Sequence, residues 1–153
     1  MIQRKQTVFL LVSLILTSVL FFIPIANICD NNSDIYIYNV FGIRLLSDNN
    51  ELITSTYPIL ILIILTALLL LTSIFLYKKR LLQLRLCFLS IILSLGIYGL
   101  GFFYIYKLTS VFETTIHYSF SVVIPLISIV FIYFAMRAIK KDELLIRSLD
   151  RIR

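Results

Sequence analysis

The stretch YPILILIILTALLLLTSIFLY, residues 57–77, decides the fold of this chain. It contains no Asp, Glu, Lys or Arg, and a helix of this length, rising 1.5 Å per residue, spans the roughly 30 Å hydrocarbon core of a bilayer. A helix satisfies its own backbone hydrogen bonds, which lipid cannot do. The stretch also lacks the polar and apolar alternation of a strand in a membrane barrel. Residues 57–77 therefore predict a transmembrane helix.

Three further runs of similar length and composition lie at residues 7–27, 86–106 and 118–139. The only charged residue in any of them is Arg137, close to the end of the last run. These runs explain why 60% of the residues are hydrophobic, whereas a soluble domain averages about 45–50% apolar. The sequence thus predicts an all-α membrane protein, a single domain over residues 1–153 with four transmembrane helices.

Lys and Arg residues are concentrated at one end of the predicted helices, where twelve of the fourteen lie. They are Arg4, Lys5, Lys78, Lys79, Arg80, Arg85, Arg137, Lys140, Lys141, Arg147, Arg151 and Arg153. Cytoplasmic loops of membrane proteins carry such an excess, and an even number of crossings puts both termini on one side. We therefore predict a multi-pass protein of the cell inner (cytoplasmic) membrane with both termini in the cytoplasm. The net charge of +6 flanks the helices, so it indicates contact with the lipid bilayer and not with nucleic acid.

The longest polar insert, residues 28–56, is predicted to be an outer loop between the first two helices. Its middle, residues 35–40, is rich in β-branched and aromatic residues, which favour a strand. A turn at Phe41-Gly42 would let residues 42–46 pair back. Because a two-stranded hairpin is barely stable alone, we expect this small extracytoplasmic β-hairpin to cap the outer ends of the helices.

The predicted spans carry no ionisable group of the kind that usually marks a functional site in lipid, apart from Arg137 near an end. Small side chains instead share one face of the third helix, which indicates helix packing in the first place and a dimer face or substrate groove as the alternative. They are Cys87, Ser90, Ser94 and Gly101. His117 is the only histidine, too few ligands for a catalytic zinc site. We expect no metal, no cofactor, no catalytic residues and no enzyme activity, with a homo-oligomer as an open alternative.

The tail, residues 140–153, continues the helical pattern of the fourth run into the cytoplasm. Leu145, Leu149 and Ile152 form an apolar stripe among charged residues, so the tail is an amphipathic helix. It suits the anionic inner leaflet, a docking site on a partner protein, or simple anchoring of the topology. The candidate contacts to partner or lipid are Arg4, Asp142, Glu143, Arg147, Asp150 and Arg151.

Both termini resemble those of a family of small bacterial four-helix membrane proteins, domain-of-unknown-function family 4293. The opening MIQRKQTVFLL and the closing RAIKKDELLIRSLDRIR match its MIQR start and its RAIxKDExLxRSxDRxR tail. One departure is Met136-Arg137, where the family pattern has Asn-Arg. The resemblance spans the whole chain and implies the architecture, but no activity.

The sequence as a whole predicts a non-enzymatic scaffold or accessory subunit that contacts a partner through its cytoplasmic tail. The alternative is a component of a small channel or transporter lined by Ser and Thr.

Overall fold

The computed structural model describes residues 3–30, 35–46, 52–77, 79–109 and 114–150. The helices are α1 (Gln3–Val19), α2 (Tyr57–Phe75), α3 (Arg80–Thr109) and α4 (Ile124–Asp150). The strands are β1 (Ala26–Asp30), β2 (Ile35–Asn39), β3 (Gly42–Leu45), β4 (Leu52–Ser55) and β5 (Thr114–Tyr118). A 3-10 helix, Phe120–Val123, leads into α4. The chain is mostly helical, as predicted, but its antiparallel sheet makes the all-α class too narrow.

Among the described residues, three helical segments are long and apolar enough to cross a membrane: Tyr57–Phe75, Arg80–Lys107 and Phe120–Leu145. The apolar part of α1, Lys5–Val19, is shorter. The sequence predicted a first helix over residues 7–27, whereas α1 ends at Val19. The reason is Pro24, which has no N–H to donate and forces the residue before it out of the helical region. Hydropathy does not register this break, because the residues on both sides of it are apolar.

The sheet has five antiparallel strands in the order β4-β3-β2-β1-β5. The predicted hairpin is present as β2 and β3, with Asn39 paired to Gly42 next to the turn. The sequence prediction missed β1, β4 and β5, which come from segments interpreted as a helix end or as links. Their pairing supplies the partners that an isolated hairpin lacks.

One face of the sheet packs against the helices. Tyr36, Tyr38, Ala26, Ile28 and Ile43 are buried and belong to one core cluster with residues of α2, α3 and α4. Asn27, Arg44 and His117 alternate with them along the strands and are exposed. The sheet therefore covers the ends of the helices, which is the capping role expected of the hairpin.

The order of packing around the helices is α1 against α2, α2 against α3, α3 against α4 and α4 against α1. Strand β1 follows α1 and strand β5 follows α3, and the two strands pair with each other. Both of these links must therefore lie at one end of the helices, which we call the sheet end. The α2–α3 link lies at the opposite end, called the basic end because Lys5, Lys79, Arg80 and Lys140 lie near the helix ends there.

Candidate contact site at the basic end

Three buried polar side chains form a layer at the basic end of the helices: Gln6 on α1, Gln83 on α3 and Asp142 on α4. Leu10, Cys87 and Ile139 pack in one core cluster. A polar side chain lies one helical turn closer to the basic end on each of these helices. Gln6 is one turn from Leu10, Gln83 is one turn from Cys87, and Asp142 is one turn from Ile139. The layer formed by Gln6, Gln83 and Asp142, called the polar layer below, therefore closes the apolar core on this side.

Asp142 joins three of the helices. The Gln6 side chain donates a hydrogen bond from Nε2 to the Asp142 carboxylate. The Arg80 guanidinium donates from Nη1 to the Asp142 backbone carbonyl at 3.1 Å. A buried carboxylate is costly unless it is hydrogen-bonded, so these contacts stabilise α4 against α1 and α3 at this level.

Gln83 occupies the same layer but is not fully satisfied. Its side chain is only 3% exposed, and its Oε1 has no hydrogen-bond partner in the part of the chain that the structure describes. An unpaired buried acceptor carries a desolvation penalty. Both side chains are buried amides, but Gln6 stabilises the fold through its hydrogen bond to Asp142, whereas the unpaired Oε1 of Gln83 lowers stability.

Between the polar layer and the sheet end, small hydroxyl side chains face one another across the helices. Those of Thr66, Ser90 and Ser94 donate to backbone carbonyls one turn earlier in their own helix. Contacts between helices are made by Ser128, whose hydroxyl donates to the Ser13 carbonyl at 3.3 Å, and by the Ser73–Cys87 pair at 3.3 Å. These hydroxyl side chains, called the hydroxyl seam below, therefore form a packing surface. Their protons are already donated in hydrogen bonds within the protein.

The predicted packing face of α3 divides into two parts. Cys87, Ser90 and Ser94 are buried among the helices. Gly101 is only half-buried, and a Cβ added there would meet no heavy atom within 4 Å. Close helix approach occurs instead at Gly96, where an added Cβ would lie 3.3 Å from Leu62 Cδ1.

Beyond the polar layer, α4 continues without interruption to Asp150. Lys140, Lys141, Leu144 and Leu145 are exposed there, and Glu143 is half-buried. At 1.5 Å per residue, the part of α4 beyond Asp142 extends about 12 Å along the same axis. The predicted tail helix is thus the direct continuation of α4.

The candidate contact residues fall into three groups. Asp142 is turned inward and binds Gln6, whereas Glu143 lies at the surface of the helix. Arg4 lies in α1, and Arg147 and Asp150 lie in α4, with side chains outside the described part of the chain. Arg151 lies outside the described residues. Gln6 and Gln83 were missed as members of the site, although their helical offsets from Leu10 and Cys87 would have identified them.

The described residues do not bring together a set of metal ligands. Within residues 3–30, 35–46, 52–77, 79–109 and 114–150, no three His, Cys, Asp or Glu side chains come together as a metal site would require. His117 lies exposed on β5, paired in register with Asn27.

Comparison with known proteins identifies the family of the chain. A family model described as "Domain of unknown function (DUF4293)" matches residues 2–152. This confirms the resemblance indicated by the two terminal motifs, and it covers both the polar layer and the extension of α4. No curated protein matches the chain.

Proposed function

The chain belongs to the family described as Domain of unknown function (DUF4293), and we propose that it is a non-enzymatic bacterial inner-membrane protein that binds a partner protein through its basic end. The polar layer fixes the position of α4, and the extension of α4 offers the contact surface. The observation that carries the proposal is the continuity of α4 from Ile124 to Asp150. A helix that lies on the membrane surface would have to bend where it leaves the bilayer, and α4 has no break at that level.

The proposal includes four helices that cross the membrane, and α1 is the one whose length is in question. Its helix of 17 residues covers about 25 Å, short of the hydrocarbon core. Residues 20–25 continue towards the sheet, and other protein groups bind the backbone of Pro24 and Ile25. Ile25 donates its N–H to Tyr38 O at 2.7 Å, Ser119 N donates to Ile25 O at 3.2 Å, and Ser121 Oγ donates to Pro24 O. Non-helical backbone is tolerated at membrane depth under this condition, which supports α1 as a crossing.

The orientation rests on charge. Residues of the basic end surround the start of α1, the α2–α3 link and the extension of α4, and the excess of Lys and Arg favours the cytoplasmic side. The sheet would then face the extracytoplasmic space. Both termini would lie in the cytoplasm, where the partner is sought.

Exposed leucines support a protein contact. Leu144 is 57% exposed and lies beside the basic residues Lys140 and Lys141. An apolar anchor surrounded by charges on a projecting helix is typical of a helix that docks in a groove. The partner would present an apolar groove with an acidic rim.

Photo-crosslinking in living cells tests this function, with a photoreactive residue at Leu144 or Leu145. Leu126 provides the matched control, because it lies on the same helix and is 56% exposed, but near the sheet end. We expect one dominant protein adduct from the two extension positions, lipid adducts alone from Leu126, and loss of the protein adduct in Arg147→Glu with Arg151→Glu. Adducts to lipid alone from all three positions would reduce the extension to an anchor and overturn the proposal.

A further inference from the structure

A groove at the sheet end lies beneath the sheet, among α2, α3, the start of α4 and the link from α1 to β1. Its lining includes Ile59 and Ile63 of α2, Ile97, Gly101 and Ile105 of α3, and Val122 and Pro125 next to the start of α4. Its volume is about 40 Å³, which is room for roughly three water-sized groups. It is separate from the basic end and independent of the proposed partner contact.

The two polar side chains that are least exposed in the lining, Tyr98 and Ser121, are already hydrogen-bonded. The Tyr98 hydroxyl donates to the Val122 carbonyl at 2.5 Å and accepts from the Leu126 N–H at 3.1 Å. The Ser121 hydroxyl donates to the Pro24 carbonyl at 2.5 Å. A bound water needs two to four polar partners. Because these hydroxyls are engaged, the groove offers its occupant a hydrocarbon surface.

The mouth of the groove is continuous with the lipid-facing surface. Phe102 and Tyr118 line the groove and are 54% and 55% exposed. Phe103, next to Phe102 on α3, and Phe120, at the start of the last apolar segment, are also exposed. Phe102, Phe103 and Phe120 belong to segments apolar enough to cross the membrane, where acyl chains cover such side chains. A membrane lipid therefore contacts the rim of the groove, and its acyl chain is in position to enter the groove.

We propose that this groove binds part of one acyl chain of a membrane phospholipid. Gly101 keeps the groove open, because an added Cβ would meet no heavy atom within 4 Å and a longer side chain would enter the space. The glycine thus serves the groove and not the approach of two helices. The bound segment is a few methylene groups, held by burial and shape.

Gly99 gives a matched control for this inference. An added Cβ at Gly99 also meets nothing within 4 Å, and Gly99 lies on the same helix but does not line the groove. Replacing each glycine by leucine therefore adds the same side chain and the same helix propensity. Only Gly101→Leu should fill the groove.

The experiment uses the full chain in vesicles of phosphatidylethanolamine and phosphatidylglycerol that contain a phospholipid with a diazirine in its acyl chain. We expect labelling of the peptides that contain Phe102 and Val122. The labelling should fall about tenfold in Gly101→Leu, because roughly two methylene groups of the acyl chain would no longer be buried. Gly99→Leu should be labelled like the unaltered chain, and Gly101→Ala should lie in between.

Equal labelling in Gly101→Leu and Gly99→Leu would overturn the proposal, since the label would then report general lipid contact. Crosslinks from Phe102 to a second copy of the chain, in place of lipid, would also overturn it and make the groove an interface between copies. Thermal unfolding of each variant in the same vesicles shows whether the fold is retained. If Gly101→Leu does not fold, Gly101→Ala against Gly99→Ala decides by the same comparison.

Discussion

At the scale of single residues, Asp142 and Tyr38 show how buried polar groups are accommodated at the two ends of the helices. Asp142 is buried with a donor from Gln6, whereas Tyr38 is fully buried and its hydroxyl has no partner among the described residues. Removing a hydrogen-bonded buried group should lower the free energy of unfolding, whereas removing an unpaired buried group should raise it.

For the satisfied group, we predict that Asp142→Ala and Gln6→Ala each lower the free energy of unfolding by about 1–2 kcal/mol. The double variant should cost little more than either single variant, because both remove the same hydrogen bond. Chemical unfolding in detergent micelles measures this coupling. Lys141→Ala, an exposed neighbour on α4, is the control and should have little effect.

Gln83 adds an internal comparison within the polar layer. Gln83→Met removes the unpaired acceptor at nearly constant volume, so it should be neutral or stabilising. Additive losses in the Gln6 and Asp142 pair, or a large loss in Gln83→Met, would contradict the hydrogen-bond arrangement of the layer.

For the unsatisfied group, we predict that Tyr38→Phe raises the free energy of unfolding by about 1 kcal/mol at neutral pH, because it removes a buried hydroxyl without a partner. Burial, with the neighbouring Tyr104, also raises the pKa of Tyr38. In the folded chain Tyr38 therefore keeps its proton at a pH where the unfolded chain has lost it, and stability falls as pH rises above about 10.

The advantage of Tyr38→Phe should accordingly grow above that pH. Thermal unfolding of both chains at neutral and alkaline pH measures it. A loss of stability in Tyr38→Phe at neutral pH would mean that the hydroxyl is paired in solution.

At the scale of elements, the hydrogen bonds of the hydroxyl seam indicate that its α3 residues serve helix packing and not the passage of a solute. Ser94 is buried and donates to Ser90 O within its own helix at 2.8 Å. A hydroxyl used in this way offers a passing solute no proton. Its small size is the feature that the neighbouring helices need.

We therefore predict that Ser94→Ala changes the unfolding free energy by less than about 0.5 kcal/mol, whereas Ser94→Leu lowers it by about 1–3 kcal/mol through overpacking. Chemical unfolding in micelles measures both. Solute flux through liposomes should be absent for all three chains. A flux in the unaltered chain that Ser94→Leu abolishes would instead support the channel or carrier alternative.

At the scale of the whole molecule, the sheet sets the relation between the helices. Pairing of β1 with β5 places the α1–α2 and α3–α4 links at one end. The sidedness of one link therefore fixes that of the other. The proposed topology can be tested with a few labelled positions.

We predict that Asn27→Cys reacts with a membrane-impermeant thiol reagent added to intact cells, and that Gln3→Cys and Lys141→Cys react only after the membrane is opened. Cys29→Ser provides a background without the native thiol of β1. The physical reason is the charge bias, which favours a cytoplasmic location of the basic end in the proposed topology. Outside labelling of Gln3→Cys with protection of Lys141→Cys would show that α1 does not cross.

Local composition predicted much of this fold. The apolar runs predicted α2, α3 and the apolar part of α4. The β-branched and aromatic residues at 35–40 predicted β2, and the turn at Phe41-Gly42 predicted β3. The segment TTIHY at residues 114–118 carries the same strand signal and was interpreted as a link. The end of α1 was signalled by Pro24, but the apolar residues around it concealed the change to an extended chain.

By itself, the sequence determined the helical, membrane-compatible character, the family and the segregation of charge, because hydropathy and charge are properties of the residues themselves. Only the tertiary structure decided that β1 and β5 pair, that Asp142 faces Gln6 and that Gly101 lines a groove. These features join residues far apart in the chain. Whether a small or polar residue packs, binds or opens a space depends on the side chains that the fold brings opposite it.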